Sequence, residues 1–91
     1  SNTGDVFEIH QNYPNPFNPV TKISYSLAND EFVQLSVYDL QGNEVANLIN
    51  SLQARGNYEI NFDASSLTSG IYLYKIQSGE FTETKKLIIL Q

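Results

Sequence analysis

Short runs in which apolar and polar residues alternate make up most of this chain, and each run ends at Gly, Pro, Asn or Asp. In one run, Ile23, Tyr25 and Leu27 fall on one face, while Lys22 and Ser24 fall on the other. The turn residues recur about every 8 to 12 residues, a spacing typical of strands in a sandwich. The pattern therefore predicts an all-β, immunoglobulin-like antiparallel β-sandwich of about seven strands.

Most of the runs keep strict alternation, but one does not. Val45 and Leu48 break the period of two, which indicates a bulge or an edge strand. The stretch 63–70 is too polar and too short for a useful helix, so we expect it to be a crossing loop. The expected strands lie at 7–11, 21–27, 33–37, 44–50, 58–62, 71–77 and 81–90, with the last two joined through Ser78 and Gly79.

Three local motifs have a structural explanation. Asp39 and Gly42 occupy the first and fourth positions of an expected type I turn. Leu67, Gly70 and Tyr72 have the spacing of a tyrosine corner, in which a Tyr hydroxyl bonds back to the upstream backbone. Prolines cannot donate to a ladder, so the stretch 12–19 must lie outside the sheets. The residues expected to shape this loop are Pro14, Asn15, Pro16, Asn18 and Pro19.

Size and composition exclude several classes of function. A chain of 91 residues holds one domain with a thin core and little room for a deep active site. With 5 basic and 10 acidic residues the net charge is −5, which makes nucleic acid a poor partner. The absence of Cys removes thiolate zinc sites and cysteine nucleophiles. We expect a monomer that is not an enzyme, has no catalytic residue, cofactor or metal, and does not insert into a membrane.

The ends of the chain suggest that it is a fragment. Ser1 and Asn2 resemble the remnant of a cleaved expression tag, so residues 3–91 are expected to form the single domain of a longer parent protein. No charged and apolar leader opens the sequence.

Two ligand hypotheses are weak on the residues alone. His10 stands near Glu8 without the three or four clustered ligands that zinc prefers, and calcium could be held only by Asn12, Asn15, Asn18 and backbone carbonyls. A carbohydrate platform would need exposed rings. Most aromatic residues fall at positions that alternate toward the core, namely Tyr25, Tyr58, Phe62 and either Tyr72 or Tyr74. The rings left for an exposed platform are Tyr13, Phe17, Phe32, Tyr38 and Phe81.

The four blocks 11–27, 37–45, 67–74 and 85–90 together span nearly the whole chain. In order and spacing they resemble the C-terminal sorting domain of type IX (Por) secretion system cargo, which is similar to the immunoglobulin-like domain of flagellar hook-capping proteins. The resemblance implies a seven-stranded sandwich at the end of secreted proteins of Bacteroidetes and related phyla. Such a domain directs its parent across the outer membrane.

The resemblance also implies partners and a location. The partners are the N-terminal parent domains, the type IX outer-membrane translocon and a surface peptidase that often removes the domain. The protein passes through the periplasm and then reaches the cell surface or the medium. The last block implies a recognition strand, to which the translocon would bind by β-augmentation, the addition of a strand at the edge of a sheet. Its residues are Lys85, Lys86, Leu87, Ile88, Ile89 and Leu90.

Two other interpretations remain open on the sequence. The lysines at 85 and 86 stand beside the most aggregation-prone window of the chain and could act only as gatekeepers. The domain could also be a spacer or a carbohydrate-binding accessory module of a multidomain secreted hydrolase.

Overall fold

A computed structural model describes residues 8–16 and 18–90. Two antiparallel sheets pack face to face, with strand orders β1-β2-β5 and β4-β3-β6-β7. The predicted immunoglobulin-like sandwich is confirmed. Phe7, expected in the first strand, and Ser1 and Asn2 lie outside the described residues. The strands are β1 (Glu8–Ile9), β2 (Val20–Leu27), β3 (Glu31–Tyr38), β4 (Glu44–Gln53), β5 (Gly56–Asp63), β6 (Gly70–Ser78) and β7 (Phe81–Ile89).

The core forms where the apolar faces of the two sheets meet. Tyr25 of β2 stacks on Tyr58 of β5, with ring centroids 5.2 Å apart. The Tyr25 hydroxyl then donates to Gln53 Oε1 of β4, so this ring also ties the two sheets together. Tyr72 and Tyr74 are both buried, although we expected only one of them inside. Residues two apart on a strand share a face, so both rings must point inward.

The strand β4 forms one edge of the four-stranded sheet and carries two bulges. Leu35 lies opposite Ile49 while Ser36 lies opposite Asn47, so Leu48 is the extra residue of the first bulge. A second register shift follows two residues later and leaves Val45 as the other extra residue. These are the two positions that break the alternation in the sequence. Both the bulge and the edge position are therefore confirmed, and bulges make an edge unsuitable for pairing.

The β3–β4 hairpin has the turn that the sequence predicts. Gly42 N donates to Asp39 O at 3.1 Å, and Asp39 N donates to Asn43 O at 2.9 Å. Gly42 has a φ of +92°, which a side chain would strain. Asp39 Oδ1 accepts hydrogen bonds from the backbone N–H groups of Asn43 and Gln41, each at 2.9 Å. These bonds, chiefly those from Asn43, lower the pKa of Asp39.

Acid should weaken this hairpin. Because the folded state holds the pKa of Asp39 below its unfolded value of about 3.9, the stabilisation is present above that pH and is lost as pH falls through the folded pKa. An uncharged amide oxygen accepts the same bonds at every pH. We therefore expect Asp39→Asn to lose less stability than wild type as the pH falls below about 4, measured by urea unfolding. Equal acid losses in the two proteins would contradict this expectation.

The β6–β7 turn is shifted by one residue from its expected place. Ser78 is the last residue of β6 and pairs with Phe81, so Gly79 and Glu80 make the turn. Gly79 has a φ of +60°, a conformation that favours glycine. A Cβ atom at this position would also lie only 3.2 Å from Glu31 Oε1. Residues 64–69 form the expected crossing loop without a helix.

Candidate functional site

The strand β7 lies at the other edge of the four-stranded sheet and pairs only with β6. Its side chains alternate between the core and the outer face. Leu87 and Ile89 are fully buried, whereas Leu90, just beyond the strand, is exposed, and Ile88 is half-buried on the outer face. The expected recognition strand therefore divides into a core-facing set and an outward-facing set.

The two lysines of this strand belong to different sets. Lys85 lies on the core-facing side, where its Nζ contacts Glu83 Oε2 at 3.2 Å and its side chain is 26 % exposed. Lys86 lies on the outer face and is exposed. Among the described residues, no acidic group forms an ion pair with Lys86. Of these two lysines, Lys86 is therefore the one that presents an unpaired cation to a partner.

Residues 10–16, which we call the crossing segment, close the open side of the sandwich next to β7. His10 N donates to Ser24 O, and Tyr13 forms a bridge with Lys22, so the segment is fixed to β2. The same segment reaches the opposite sheet. Gln11 Nε2 donates a hydrogen bond to Lys86 O at 2.7 Å. Asn15 Oδ1 accepts one from Ile88 N at 2.9 Å. The crossing segment thus touches the backbone of the expected recognition strand.

A buried hydroxyl holds the crossing segment in place. Tyr74 Oη accepts a hydrogen bond from Asn12 N and donates one to His10 O, both at 2.8 Å. Burial raises the pKa of Tyr74 to about 12. The Asn12 side chain extends the network, since its Nδ2 donates to Thr21 Oγ1 and to Pro14 O. This network joins β6, β2 and the proline-rich loop around the edge of β7.

The proline-rich loop lies between β1 and β2, and its described residues form no strand, as its composition predicts. The prediction that the whole stretch lies outside the sheets is wrong at Tyr13, which forms an isolated antiparallel bridge with Lys22 of β2. The bonds before Pro14, Pro16 and Pro19 are cis. Pro19 O accepts a hydrogen bond from Ala64 N at 2.8 Å, which joins the end of this loop to the loop between β5 and β6. Asn18 lies exposed between the last two prolines.

The tyrosine-corner motif joins the start of β6 to the loop before it. Tyr72 Oη donates to Thr68 O at 2.9 Å. Gly70 has a φ of +154° at the first residue of the strand, and Leu67 packs against the core. The hydroxyl reaches back four residues along the chain, which is the geometry that the spacing predicts. Tyr72 therefore has a structural role. It pairs with Leu87 of β7, two residues from Tyr74 on β6.

The residues considered for ligands do not come together as a binding site. Glu8 Oε1 lies 3.8 Å from His10 Nε2, and both side chains are largely exposed. Within residues 8–16 and 18–90 no three His, Asp or Glu side chains cluster to hold a metal ion. Asn15 Oδ1, which a calcium ion would need, already accepts from Ile88 N. A further finding is that no helix in the described residues is long and apolar enough to cross a membrane.

The exposed rings also fail to form one platform. Tyr13 is 80 % exposed, but it lies on the crossing segment beside β2. Phe32 and Tyr38 share the outer face of β3 but are six residues apart, or about 20 Å along a strand. Phe81 packs against the core, and Phe17 lies outside the described residues. The carbohydrate interpretation is therefore not favoured.

Sequence reasoning named Asn12 only as a possible calcium ligand and Tyr74 only as a possible core ring. It missed the hydrogen bonds of Gln11, Asn12 and Tyr74, which span 62 to 75 residues. Only the density of Asn and Gln beside the prolines signalled that this segment needs partners.

Comparison with known proteins assigns a family to this arrangement. The family model for the secretion system C-terminal sorting domain matches residues 11–90, which include the crossing segment from Gln11 onward and all of β7. No curated protein matches the chain. Sorting domains of this kind are typically non-catalytic, interact with the type IX machinery, and send a parent protein to the cell surface or the extracellular space. The chain belongs to the secretion system C-terminal sorting domain family, and it is a sorting signal for type IX secretion.

Proposed function

We propose that the translocon reads the folded domain through β7, and that Lys86, Ile88 and Leu90 are the side chains it contacts. The single observation behind this assignment is the alternation of β7, which puts Lys86 and Ile88 on the outer face of the sheet and continues to the exposed Leu90 just beyond the strand. Lys86 contributes a free charge, and the other two contribute apolar surface. A charge that meets a complementary charge on the partner contributes specificity, and buried apolar surface contributes affinity.

The other half of the recognition strand has a supporting role in this proposal. Leu87 and Ile89 are fully buried, so a partner cannot touch them while the domain is folded. Lys85 is largely covered and paired with Glu83. These three residues fix the position of β7 on the sandwich, so that the outward set is presented in register. The gatekeeper interpretation of the lysines therefore applies to Lys86 rather than to Lys85.

We further propose the route and the assembly state. The domain passes through the periplasm as a folded monomer, meets the translocon at the outer membrane, and is then a substrate for a surface peptidase that separates it from the parent. The family assignment supports the route, because a sorting signal acts before the cargo reaches the surface. The net charge of −5 favours a soluble monomer over self-association. In this role the domain carries no catalytic activity of its own.

The test is an export assay. A fluorescent carrier with an inner-membrane signal peptide is fused to residues 3–91 and expressed in a strain with a working type IX system and in a strain that lacks the translocon. We expect fluorescence at the surface or in the medium of the first strain only. Retention in both strains, with the domain shown to be folded, would contradict the sorting role of this chain.

Lys86→Ala should reduce export of this fusion about tenfold, because a lost charged contact of ordinary strength changes affinity by that factor. Lys75→Ala is the matched control, since Lys75 lies on the same outer face but on β6. The melting temperatures of both variants should stay near that of wild type. Equal export losses in the two variants would show that the charge of this face matters rather than the position of Lys86.

A further inference from the structure

We propose that the outer edge of β7 is the docking site for an extended polypeptide segment of the secretion machinery, and that Gln11 and Asn15 cover half of that edge until the segment displaces them. This inference rests on the proposed function, because it names the way in which the same partner binds the same strand. It adds a specific surface, the backbone edge of β7, to the side chains already assigned.

The hydrogen bonds of the crossing segment identify which backbone groups point outward. Lys86 O and Ile88 N bond to side chains of the crossing segment rather than to β6. In an antiparallel pair the backbone groups of alternate residues point to the same side. Thr82 and Thr84 therefore also direct their N–H and C=O groups away from β6. No bond from elsewhere in the described chain reaches the backbone of these two threonines.

The two covering side chains imitate a neighbouring strand. Gln11 supplies an amide N–H to a strand carbonyl, and Asn15 supplies an amide oxygen to a strand N–H. These are the donor and the acceptor that the backbone of an added strand would supply at the same place. A side-chain amide on a rotatable stem holds such a position at an entropic cost, whereas a strand satisfies several groups at once. The cover is therefore replaceable by a backbone.

The regularity of β7 points to a strand as its partner. Its nine residues pair with β6 without a register shift, so the outward groups keep an even spacing along the edge. A row of alternating donors and acceptors matches an extended backbone, which is why open edges are templates for strand addition. The opposite edge of this sheet, β4, carries two bulges and offers no such row. The even residues also put Lys86 and Ile88 on the outer face, where their side chains can select the partner.

The open half of the edge, at Thr82 and Thr84, is the place where a segment can first pair. Pairing there leaves the crossing segment undisturbed, because its two contacts lie further along, at Lys86 and Ile88. Extension of the added strand then replaces Gln11 and Asn15 in turn. The crossing segment stays attached through Tyr74 and β2, so the sandwich remains intact during this exchange.

Thr84→Pro tests the backbone directly. Proline removes the outward N–H and obstructs an added strand, and edge strands accept proline where the N–H faces solvent. Thr84→Ala is the matched control, since it removes the side chain and keeps the N–H. In the export assay we expect Thr84→Pro to abolish export while Thr84→Ala exports like wild type. Thermal melting and near-ultraviolet circular dichroism check that both variants fold.

The outcomes separate this inference from the proposed function. Export of the wild-type fusion in the working strain alone upholds the sorting role. If Thr84→Pro then folds and is exported like wild type, strand addition at β7 is wrong, while recognition through Lys86, Ile88 and Leu90 stands. If Thr84→Ala loses export as fully as Thr84→Pro, the threonine side chain is the contact, and the backbone inference is again overturned.

A second variant decides the matter even if the proline prevents folding. Gln11→Ala combined with Asn15→Ala keeps every amide of β7 and uncovers the groups at Lys86 and Ile88. Removal of a competing cover raises the fraction of binding-competent domain, so export at limiting translocon should rise about twofold or more. Amide hydrogen exchange of Ile88 should accelerate in the same variant. An export rate at or below that of wild type, with the domain folded, would contradict displacement of the cover.

Discussion

Tyr74→Phe is expected to lower the free energy of unfolding by about 2 to 4 kcal/mol. The buried N–H of Asn12, left without a partner, costs about 1 to 3 kcal/mol, and the partly buried C=O of His10 loses a hydrogen bond worth about 1 kcal/mol. The hydroxyl of Tyr74 is the only described partner that joins Asn12 N to His10 O, and the ring is fully buried. A phenylalanine fills the same space, so the loss reports the two hydrogen bonds rather than a cavity. Urea unfolding followed by tyrosine fluorescence measures it.

Two further Tyr→Phe variants calibrate this loss. Tyr72→Phe removes one hydroxyl that donates to Thr68 O, so a loss of about 1 to 2 kcal/mol is expected. Tyr38 lies half-buried on the outer face of β3, and none of the described hydrogen bonds involves its hydroxyl. Tyr38→Phe should therefore stay within about 0.5 kcal/mol of wild type. Similar losses in all three variants would show that the hydroxyl of Tyr74 has no special role.

The same hydroxyl should make the domain sensitive to alkali. Burial raises the pKa values of Tyr25 and Tyr74 to about 12 in the folded state, whereas an unfolded tyrosine titrates near 10. A raised folded pKa means that the stabilisation is complete below about pH 10 and is lost as pH rises toward 12. Tyr74→Phe should show a smaller loss over this window than wild type. An unchanged alkaline profile in the variant would assign the effect to Tyr25 alone.

Local pattern was sufficient to predict most of the strands and the β3–β4 turn. Val45 and Leu48, the two positions out of phase, predicted a bulge or an edge strand, and the two bulges of β4 lie at these residues, because a bulge shifts the face of every residue beyond it. Asp39 and Gly42 located the hairpin because few residues satisfy its backbone. The β6–β7 turn was predicted one residue too early, because local pattern is misleading at Ser78. Ser78 is polar but buried, so it resembles a turn residue while it ends a strand.

Only part of the candidate site could be predicted from local pattern. The alternation of β7 already implied that Leu87 and Ile89 face one way and Lys86 and Ile88 the other, yet a block of lysines followed by apolar residues resembles a single linear signal. The contacts of Gln11 and Asn15 could not be predicted. They join backbone atoms on β7 to side chains more than 70 residues earlier, and no local period encodes such a distance.

Substitutions at neighbouring positions of β7 should separate recognition from folding. Ile88→Ala trims an outward side chain, and we expect stability within about 1 kcal/mol of wild type and a loss of export of about tenfold. Leu87→Ala removes a fully buried side chain and should cost about 2 to 5 kcal/mol. Since a small domain is stable by only about 5 to 15 kcal/mol, this variant is expected to unfold partly at growth temperature. Its export defect should follow the folded fraction and recover on cooling.

Ile71→Ala is the matched control, because Ile71 is the same residue type, lies directly opposite Ile88 on β6, and is 43 % exposed on the same outer face. It should match Ile88→Ala in melting temperature while exporting like wild type. The reverse result, in which Ile88→Ala is exported normally and Leu87→Ala fails at a temperature where it is folded, would place the signal on the buried side of β7. The translocon would then have to open the sandwich to read it. The folded, outward presentation of Lys86, Ile88 and Leu90 predicts the first result, because those side chains need no unfolding to be reached.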